Sequence, residues 1–171
     1  MSSNGSPITP IEGPILEKQL FRRVCGRFAS GITITTVLDE AGTVHGLTAN
    51  SFTSVSLAPP LVLVCVDHRT KILEHFRHNS HFGINILSEH QRPLSDRFAG
   101  SGYDRFEGVE WYPGQTGVPL LPGVLAALEC SRVKLVPAGD HDILIGQVVH
   151  AQCHDGEPLI YFGSQYRHLS K

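Results

Sequence analysis

The sequence has no apolar run long enough to cross a membrane. Its longest, residues 61–66, contains six residues, whereas a membrane-spanning helix needs about 20. No apolar segment follows a basic N-terminus, as a secretory signal would require. We therefore expect a protein that is neither inserted into a membrane nor exported.

Both common nucleotide-binding loops are missing as well. No GxGxxG follows a strand, and no GxxxxGK[ST] occurs anywhere. These loops hold phosphates in Rossmann folds and in P-loop proteins. A nucleotide, if bound, must be held in another way.

Metal-binding motifs are also absent, although the chain contains ten histidines. His75, His78 and His81 are three residues apart, and each step of three rotates a side chain by about 60° around a helix. His150, Cys153 and His154 form the other cluster, and there is no HExxH. We expect no metal site.

Cysteines are few and widely separated. None of the four belongs to a CxxC pair, so a disulfide framework or a zinc site is not indicated. Cys25 falls on a predicted helix, and Cys65 and Cys130 fall within apolar strands. We predict buried free thiols in the reducing cytoplasm.

Charge is small and balanced, with 14 basic and 16 acidic residues and a formal net charge of −2. Lys and Arg are scattered rather than grouped in a stripe, so nucleic-acid binding is not indicated. A chain of 171 residues suits a single domain. Residues 1–14, rich in Ser, Gly and Pro, predict a flexible arm ahead of one domain over residues 15–171.

Apolar spacing predicts a few helices among many strands. Leu16, Leu20, Val24 and Phe28 recur every four residues, which predicts an amphipathic helix that ends at Gly31. Two more helices are predicted over residues 70–78 and 88–99, the second with a capping box. Strands are predicted over residues 32–37, 44–49, 82–87, 128–136, 142–151 and 159–161, in addition to the apolar run 61–66. This pattern favours a small, mainly antiparallel β-barrel with flanking helices.

Polar side chains are concentrated in one short segment. Six of the nine residues 48–56 carry a hydroxyl or amide group, and an apolar strand follows. Such side chains often only shape a turn by bonding to nearby backbone. Ser54 and Ser56 alternate with Val55 and Leu57, however, which predicts a strand with one wet and one buried face. The segment is therefore either a shaped turn or a ligand cradle.

This segment resembles the flavin reductase family, the short NAD(P)H:flavin oxidoreductases that serve two-component monooxygenases. The resemblance rests on residues 46–57 (GLTANSFTSVSL) followed by Pro59-Pro60. It continues through FASGIT at 28–33, FGINIL at 82–87, Phe98-Ala99, GDH at 139–141 and PLIYF at 158–162. It covers residues 20–168, and several blocks in the right order are more specific than any one of them.

The resemblance implies an antiparallel split β-barrel of the FMN-binding type that acts as a cytoplasmic homodimer. It also implies hydride transfer from NADH or NADPH to FMN or FAD, with the reduced flavin passed to a partner monooxygenase. The flavin would contact residues of the cradle and of the next strand end: Thr48, Ala49, Asn50, Ser51, Ser54, Ser56, Cys65 and Asp67. His141, in the turn before a strand, would contact the nicotinamide, helped by Tyr166 and Arg167. The alternative is that His141 only bonds a carbonyl of its own turn and helps to end a strand.

Two further contacts with the flavin are expected from the residues themselves. His68, Thr70 and Lys71 offer positive charge and N–H groups at the start of a predicted helix, which suits a phosphate. The alternative is that Thr70 only caps that helix. Asn85 lies between apolar neighbours and is either a ligand contact or a satisfied core amide.

Two other functions remain open at this point. A flavin carrier on the same barrel would keep the cradle without admitting NAD(P)H. A pyridoxamine-phosphate-oxidase-like flavoprotein would bind flavin yet oxidise another substrate. The residues do not distinguish FMN from FAD, and the lack of an Arg cluster for a 2′-phosphate leans towards NADH.

Overall fold

The computed structural model describes residue 13 and residues 16–100 and 104–169. The predicted arm, residues 1–14, lies outside the described residues except for Gly13. Within the described part of the chain, no helix combines the length and the apolar character needed to cross a bilayer.

Antiparallel pairing of strands dominates the fold. The strands are β1 (Ser30–Gly31), β2 (Thr33–Leu38), β3 (Val44–Ala49), β4 (Thr53–Leu57), β5 (Pro60–Asp67), β6 (His81–Ile86), β7 (Tyr112–Pro113), β8 (Pro119–Leu120), β9 (Ala126–Ala138), β10 (His141–Cys153), β11 (Ile160–Phe162) and β12 (Gln165–Arg167).

Seven of these strands form one sheet in the order β3-β2-β6-β9-β10-β5-β4. Two small sheets, β1-β11-β12 and β7-β8, complete the described strands. The expectation of a mainly antiparallel β fold with few helices is confirmed. Hydrogen bonds between described strands do not close the large sheet, which ends at β3 and β4.

The described part of the chain contains three short α-helices beside the sheet: α1 (Lys18–Cys25), α2 (Leu73–His78) and α3 (Arg92–Ala99). A 3₁₀ turn, Glu89–Gln91, leads into α3. The Gln91 side chain accepts a hydrogen bond from Ser88 N at 3.1 Å, as the capping box predicts, while Ser88 Oγ donates to Gly123 O. Helix α2 starts at Leu73, later than predicted, and Thr70 does not cap it.

The predicted N-terminal helix is shorter than its pattern suggested, and its apolar side is not buried. Helix α1 ends at Cys25, so Phe28 lies beyond it. No residue of α1 is buried, and Phe21, Val24 and Phe28 are 56%, 62% and 82% exposed. The pattern correctly predicted a helix, but no surface among the described residues covers its apolar side.

Strand β4 also differs from its prediction. Val55 and Leu57, which the alternation placed on a buried face, are 49% and 95% exposed. β4 is an edge strand, and its pairing with β5 shifts between Ser54 and Ser56. This bulge breaks the period of two, so the prediction of one wet and one buried face is wrong for this strand.

The cysteine prediction holds only in part. All four thiols are free, but only Cys130 is buried and Cys65 is half-buried. Cys25 and Cys153 are exposed. Cys25 is exposed because the helix that carries it does not pack into the core.

Two apolar clusters hold the fold together. One lies between the sheet and α2 and includes Phe76, Phe82 and Val64. The other lies under α3 and includes Phe98 and Leu87. Strand β2, which pairs with β3 and β6, is buried along most of its length. These clusters fix α2 and α3 beside the ends of β3, β5 and β10, where the candidate site lies.

Candidate functional site

A cleft lies where the ends of β3, β5 and β10 meet the end of α3. Its volume is about 300 Å³, and its lining residues are Leu47, Thr48, Ala49, Asn50, Ser51, Cys65, Asp67, Thr70, Phe98, Ala99, Arg105 and His141. Eight of the residues predicted from the sequence are therefore brought together: Thr48, Ala49, Asn50, Ser51, Cys65, Asp67, Thr70 and His141.

Two hydroxyls of the polar segment are engaged within the protein. Thr48 Oγ1 donates to Ser95 O of α3 at 2.8 Å, and Ser51 Oγ accepts from Cys65 N at 2.9 Å. These bonds tie β3 and the loop after it to α3 and to β5. The two alternatives for this segment, a shaped turn and a ligand cradle, are therefore compatible. Thr48 and Ser51 shape one wall of the cleft, and Asn50 is exposed on that wall.

Antiparallel pairing of β5 and β10 forms the opposite wall, with Asp67 directly across from His141. His141 Nδ1 is 2.7 Å from Asp140 Oδ1. Arg69 Nη2 donates to Asp67 Oδ2 at 2.6 Å. Hydrogen bonds from Arg69 hold the pKa of Asp67 well below its usual range. Asp67 is therefore ionised at neutral pH, and the Arg69 charge is largely matched.

A larger cavity of about 490 Å³ adjoins the cleft. The two share Asp67, Thr70, Ala99 and Arg105, and the larger cavity adds Lys71, His45 and His75 among its lining residues. A long ligand can therefore extend from the cleft into a region that contains Arg and Lys side chains.

Arg105 is a site residue that the sequence did not reveal. Its Nη1 donates to Gly46 O at 2.8 Å and its Nη2 to Gly100 O at 2.5 Å. The buried Nε has no hydrogen-bond partner among the described residues. Burial lowers the pKa of Arg105, but a guanidinium stays protonated in proteins. This partly buried cation between the two cavities suits an anionic ligand.

No sequence signal pointed to Arg105, because the chain around it has no clear periodicity. Phe98 and Ala99 also line the cleft and were not predicted as site residues. The sequence did contain a signal for these two residues, because they lie at the end of the predicted helix 88–99 and form one block of the family resemblance.

The predicted phosphate loop is only partly available to a ligand. His68 Nε2 lies 2.7 Å from the buried Asp142 Oδ1, and Arg69 is paired with Asp67. Neither cavity includes His68 in its lining. Thr70 and Lys71 do line the larger cavity. Arg105 lines the larger cavity together with Thr70 and Lys71, whereas His68 does not.

Five other predicted site residues do not line the cleft: Ser54, Ser56, Asn85, Tyr166 and Arg167. Asn85 is fully buried, where its Nδ2 donates to Ile34 O at 3.1 Å and its Oδ1 accepts from Leu121 N at 2.8 Å. It is the satisfied core amide, and its assignment to the flavin is corrected.

Tyr166 and Arg167 contact other parts of the chain. Tyr166 OH lies 2.9 Å from Ser95 Oγ and donates to Asp96 Oδ1 at 2.8 Å. Arg167 Nη2 donates to Gln165 Oε1 at 2.8 Å. The cleft within a single chain therefore gives no support to their predicted contact with the nicotinamide.

A separate concave region of about 300 Å³ surrounds Glu129 and His150. Glu129 accepts hydrogen bonds from Gln115 N at 2.9 Å and from Thr116 N and Oγ1 at 2.6 Å. Burial raises the pKa of Glu129, but these bonds outweigh it, so the net shift is downwards. The carboxylate is already satisfied and anchors the 114–116 turn.

Comparison with known proteins identifies the class. Residues 25–170 match the family described as flavin reductase like domain, and the chain belongs to that family. It is 45% identical over 152 residues to an NADH-dependent flavin reductase of Rhodococcus sp., with 86% of this chain and 84% of that protein covered.

Two further relatives carry more detailed descriptions. The reductase component of a 4-nitrophenol 4-monooxygenase/4-nitrocatechol 2-monooxygenase from Rhodococcus opacus is 40% identical, with 90% of this chain and 82% of that protein covered. The Streptomyces globisporus NADH:FAD oxidoreductase SgcE6, solved in complex with NAD and FAD fragments, superposes with a TM-score of 0.85 at 34% identity. That match covers 92% of this chain and 98% of the other.

Asp142 bonds to His68 in the loop after β5 and to Arg77 of α2. Substitution of Asp142 tests how much these bonds stabilise the fold. Its side chain is 3% exposed, and Arg77 Nη2 donates to Oδ2 at 2.8 Å while His68 Nε2 contacts Oδ1. We expect Asp142→Asn to lower the free energy of unfolding by about 1–3 kcal/mol, because Arg77 loses its buried negative partner and an amide NH₂ replaces one of the two acceptor oxygens. Urea unfolding at pH 7 measures this.

Asp140→Asn is the matched control, since that side chain is 89% exposed, and a change within about 0.5 kcal/mol is expected.

Burial raises the pKa of Asp142, but the bonds from Arg77 and His68 outweigh it and leave the pKa below its usual value. Its stabilisation is therefore present above the unfolded-state pKa and lost as the pH falls. The difference in free energy of unfolding between wild type and Asp142→Asn should stay constant from about pH 7 to 5 and shrink below about pH 4. A difference that stays the same at all pH values would contradict this role of Asp142.

Proposed function

We propose that this protein is an NADH-dependent flavin reductase that reduces FMN or FAD and supplies the reduced flavin to a partner monooxygenase. One observation carries the proposal: a polar strand end with Asn50, a facing strand end with His141 and the partly buried cation Arg105 surround a single cleft. Family membership and relatives described as NADH-dependent reductases support it.

The residues present fit a flavin nucleotide. The ring system would lie against Thr48, Ala49, Asn50 and Ser51 on one side and Cys65 and Asp67 on the other. The phosphate would extend towards Thr70, Lys71 and Arg105. The unpartnered Nε of Arg105 among the described residues supports this direction, because a guanidinium binds phosphate well. Both FMN and FAD contain this phosphate.

The flavin supplies the redox chemistry by accepting a hydride from NADH, while NAD⁺ is the other product. The chain has to bind the two substrates together and hold them in register. Backbone N–H groups near Asn50 and Ser51 would stabilise negative charge that develops on the reduced ring. His141 would orient the nicotinamide and need not transfer a proton.

The proposal extends to assembly and location. The seven-stranded sheet would correspond to a split β-barrel formed by residues 15–171. A homodimer would cover the exposed apolar side chains of α1 and those on β4, β9 and β10. Four free cysteines support a cytoplasmic location. The partner would be a flavin-dependent monooxygenase, as relatives described as reductase components suggest.

The activity itself is tested by following the oxidation of NADH and NADPH at 340 nm with FMN, FAD or riboflavin added in turn. We expect flavin-dependent oxidation that is faster with NADH. A flavin carrier would bind flavin without oxidising either nucleotide. Background rates with all three flavins would contradict the proposed reaction.

The two walls of the cleft should have separable roles. Asn50→Ala should weaken flavin binding by about 1–2 kcal/mol, as for a buried hydrogen bond left unmade. His141→Ala should leave flavin affinity nearly intact but raise KM for NADH or slow reduction. Flavin titration followed by anaerobic stopped-flow reduction measures both steps.

Asp155→Ala, which is exposed and outside the cleft, serves as the control for both variants. Loss of flavin binding in His141→Ala, with both steps normal in Asn50→Ala, would show that the two ligands are placed the wrong way round. The class of reaction could still be right in that case.

A homodimer should appear in solution at about twice the chain mass of 18.7 kDa. Leu57, 95% exposed on edge strand β4, is expected to lie in the interface, so Leu57→Glu should shift the protein towards the monomer. Leu169→Glu, at a 60% exposed leucine near the C-terminus, is the control. Light scattering during gel filtration measures both. A wild-type monomer that still reduces flavin would contradict the assembly.

A further inference from the structure

Three potential metal ligands from separate elements meet at the far side of the larger cavity. They are Asp39 in the turn after β2, His45 on β3 and His75 on α2. One ligand atom from each lies within 4.8 Å of the other two. Sequence spacing did not reveal this cluster, because the spacing grouped His75 with His78 and His81. In the structure, His75 instead lies beside residues 30 or more positions away.

The turn of the β2–β3 hairpin fixes the position of Asp39. Its Oδ1 accepts from Ala41 N at 2.9 Å and Thr43 N at 2.7 Å, and Gly42 provides the left-handed backbone at φ +81°. These bonds leave Oδ2 directed at His45 Nε2, 3.0 Å away. Together with the turn bonds, this contact holds the pKa of Asp39 down at about 2, so it is ionised at neutral pH.

Helix α2 brings His75 to the same place. Buried Leu73 and Phe76 dock the helix against the core, and Asn79 Nδ2 donates to Leu38 O at 2.7 Å, which ties the helix end to β2. The His75 ring stacks on His45 with centroids 4.3 Å apart and planes at 17°. Two imidazoles and a carboxylate are thus held by three anchored segments.

The chemistry of these ligands selects the type of ion. Imidazole nitrogen with one carboxylate suits Zn²⁺ and similar transition metals, whereas Ca²⁺ and Mg²⁺ prefer oxygen ligands. We propose that Asp39, His45 and His75 bind one divalent transition-metal ion, with water from the cavity completing its coordination. Three protein ligands and open positions are a usual arrangement for Zn²⁺.

Binding requires a small local adjustment. Bonds of about 2.0–2.1 Å to a tetrahedral ion place ligand atoms about 3.3 Å apart, so the stacked rings must tilt towards each other. Both rings line the open cavity of about 490 Å³ and are only partly buried, which leaves them room to tilt. The bound ion would join the β2–β3 hairpin to α2 and stabilise the fold.

The test uses the complete chain without a histidine tag and without flavin, so its outcome does not depend on the proposed reaction. ZnCl₂ is titrated calorimetrically at pH 7.5, and CoCl₂ is added to monitor the visible bands of tetrahedral cobalt. We expect one ion per chain and a higher Tm with zinc. Affinity should fall at pH 5.5, because histidine must lose its proton to bind a metal.

His75→Ala and His45→Gln should each lower zinc affinity by at least about tenfold, the loss that removal of even an outer partner of a metal ligand can cause. His78→Ala is the matched control, since it changes an exposed histidine on the same helix and should bind zinc as the wild type does. No saturable binding at pH 7.5 would overturn the proposal. Equal affinities of His75→Ala and His78→Ala would overturn it too.

Discussion

The buried carboxylate of Asp142 connects the parts of the chain that form the candidate site. It lies near the start of β10, directly after His141, and bonds to Arg77 of α2 and His68 of the loop after β5. The same loop is also held by the backbone bond from His68 N to Asp140 O in the turn before β10. The positions of this loop and of α2 therefore depend on the buried negative charge of Asp142 together with the packing of Leu73 and Phe76 against the core.

The polar segment 48–56 also combines structural support with ligand binding. Thr48 and Ser51 use their hydroxyls to bind α3 and β5, and so they fix the loop that carries Asn50. The Thr48 hydroxyl, which donates to Ser95 O, cannot offer the same hydrogen to a ligand, but both hydroxyls order the backbone beside them. Preorganised backbone donors need no rearrangement when charge develops on a ligand. The number of polar residues in this segment thus reflects both support and binding.

Much of the fold could be predicted because strand patterns and turn residues act locally. The β2–β3 hairpin, strand β6, the long pair β9–β10 and the helix after Ser88 all lie close to their predicted positions. Asn85 and Arg105 could not be assigned, because their roles depend on residues distant in the sequence. Asn85 is satisfied by Leu121, 36 positions away, and Arg105 binds Gly46, 59 positions away. Pairing His75 with Asp39 and His45 likewise required knowledge of how α2 packs on the hairpin.

The errors at α1 and β4 have a common physical cause. Their apolar residues have the periodicity of a buried face, yet Val24, Phe28, Val55 and Leu57 are exposed in the single chain. Sequence patterns indicate that a surface is to be buried, but not whether the same chain buries it. Exposure of several large apolar side chains costs free energy in water, and contiguous patches of this kind mark interaction sites. The same reasoning applies to the cleft, which the single chain leaves partly open. A second copy that covers the apolar side chains would also deepen the groove, so burial of this surface and completion of the flavin site would then be consequences of one assembly step.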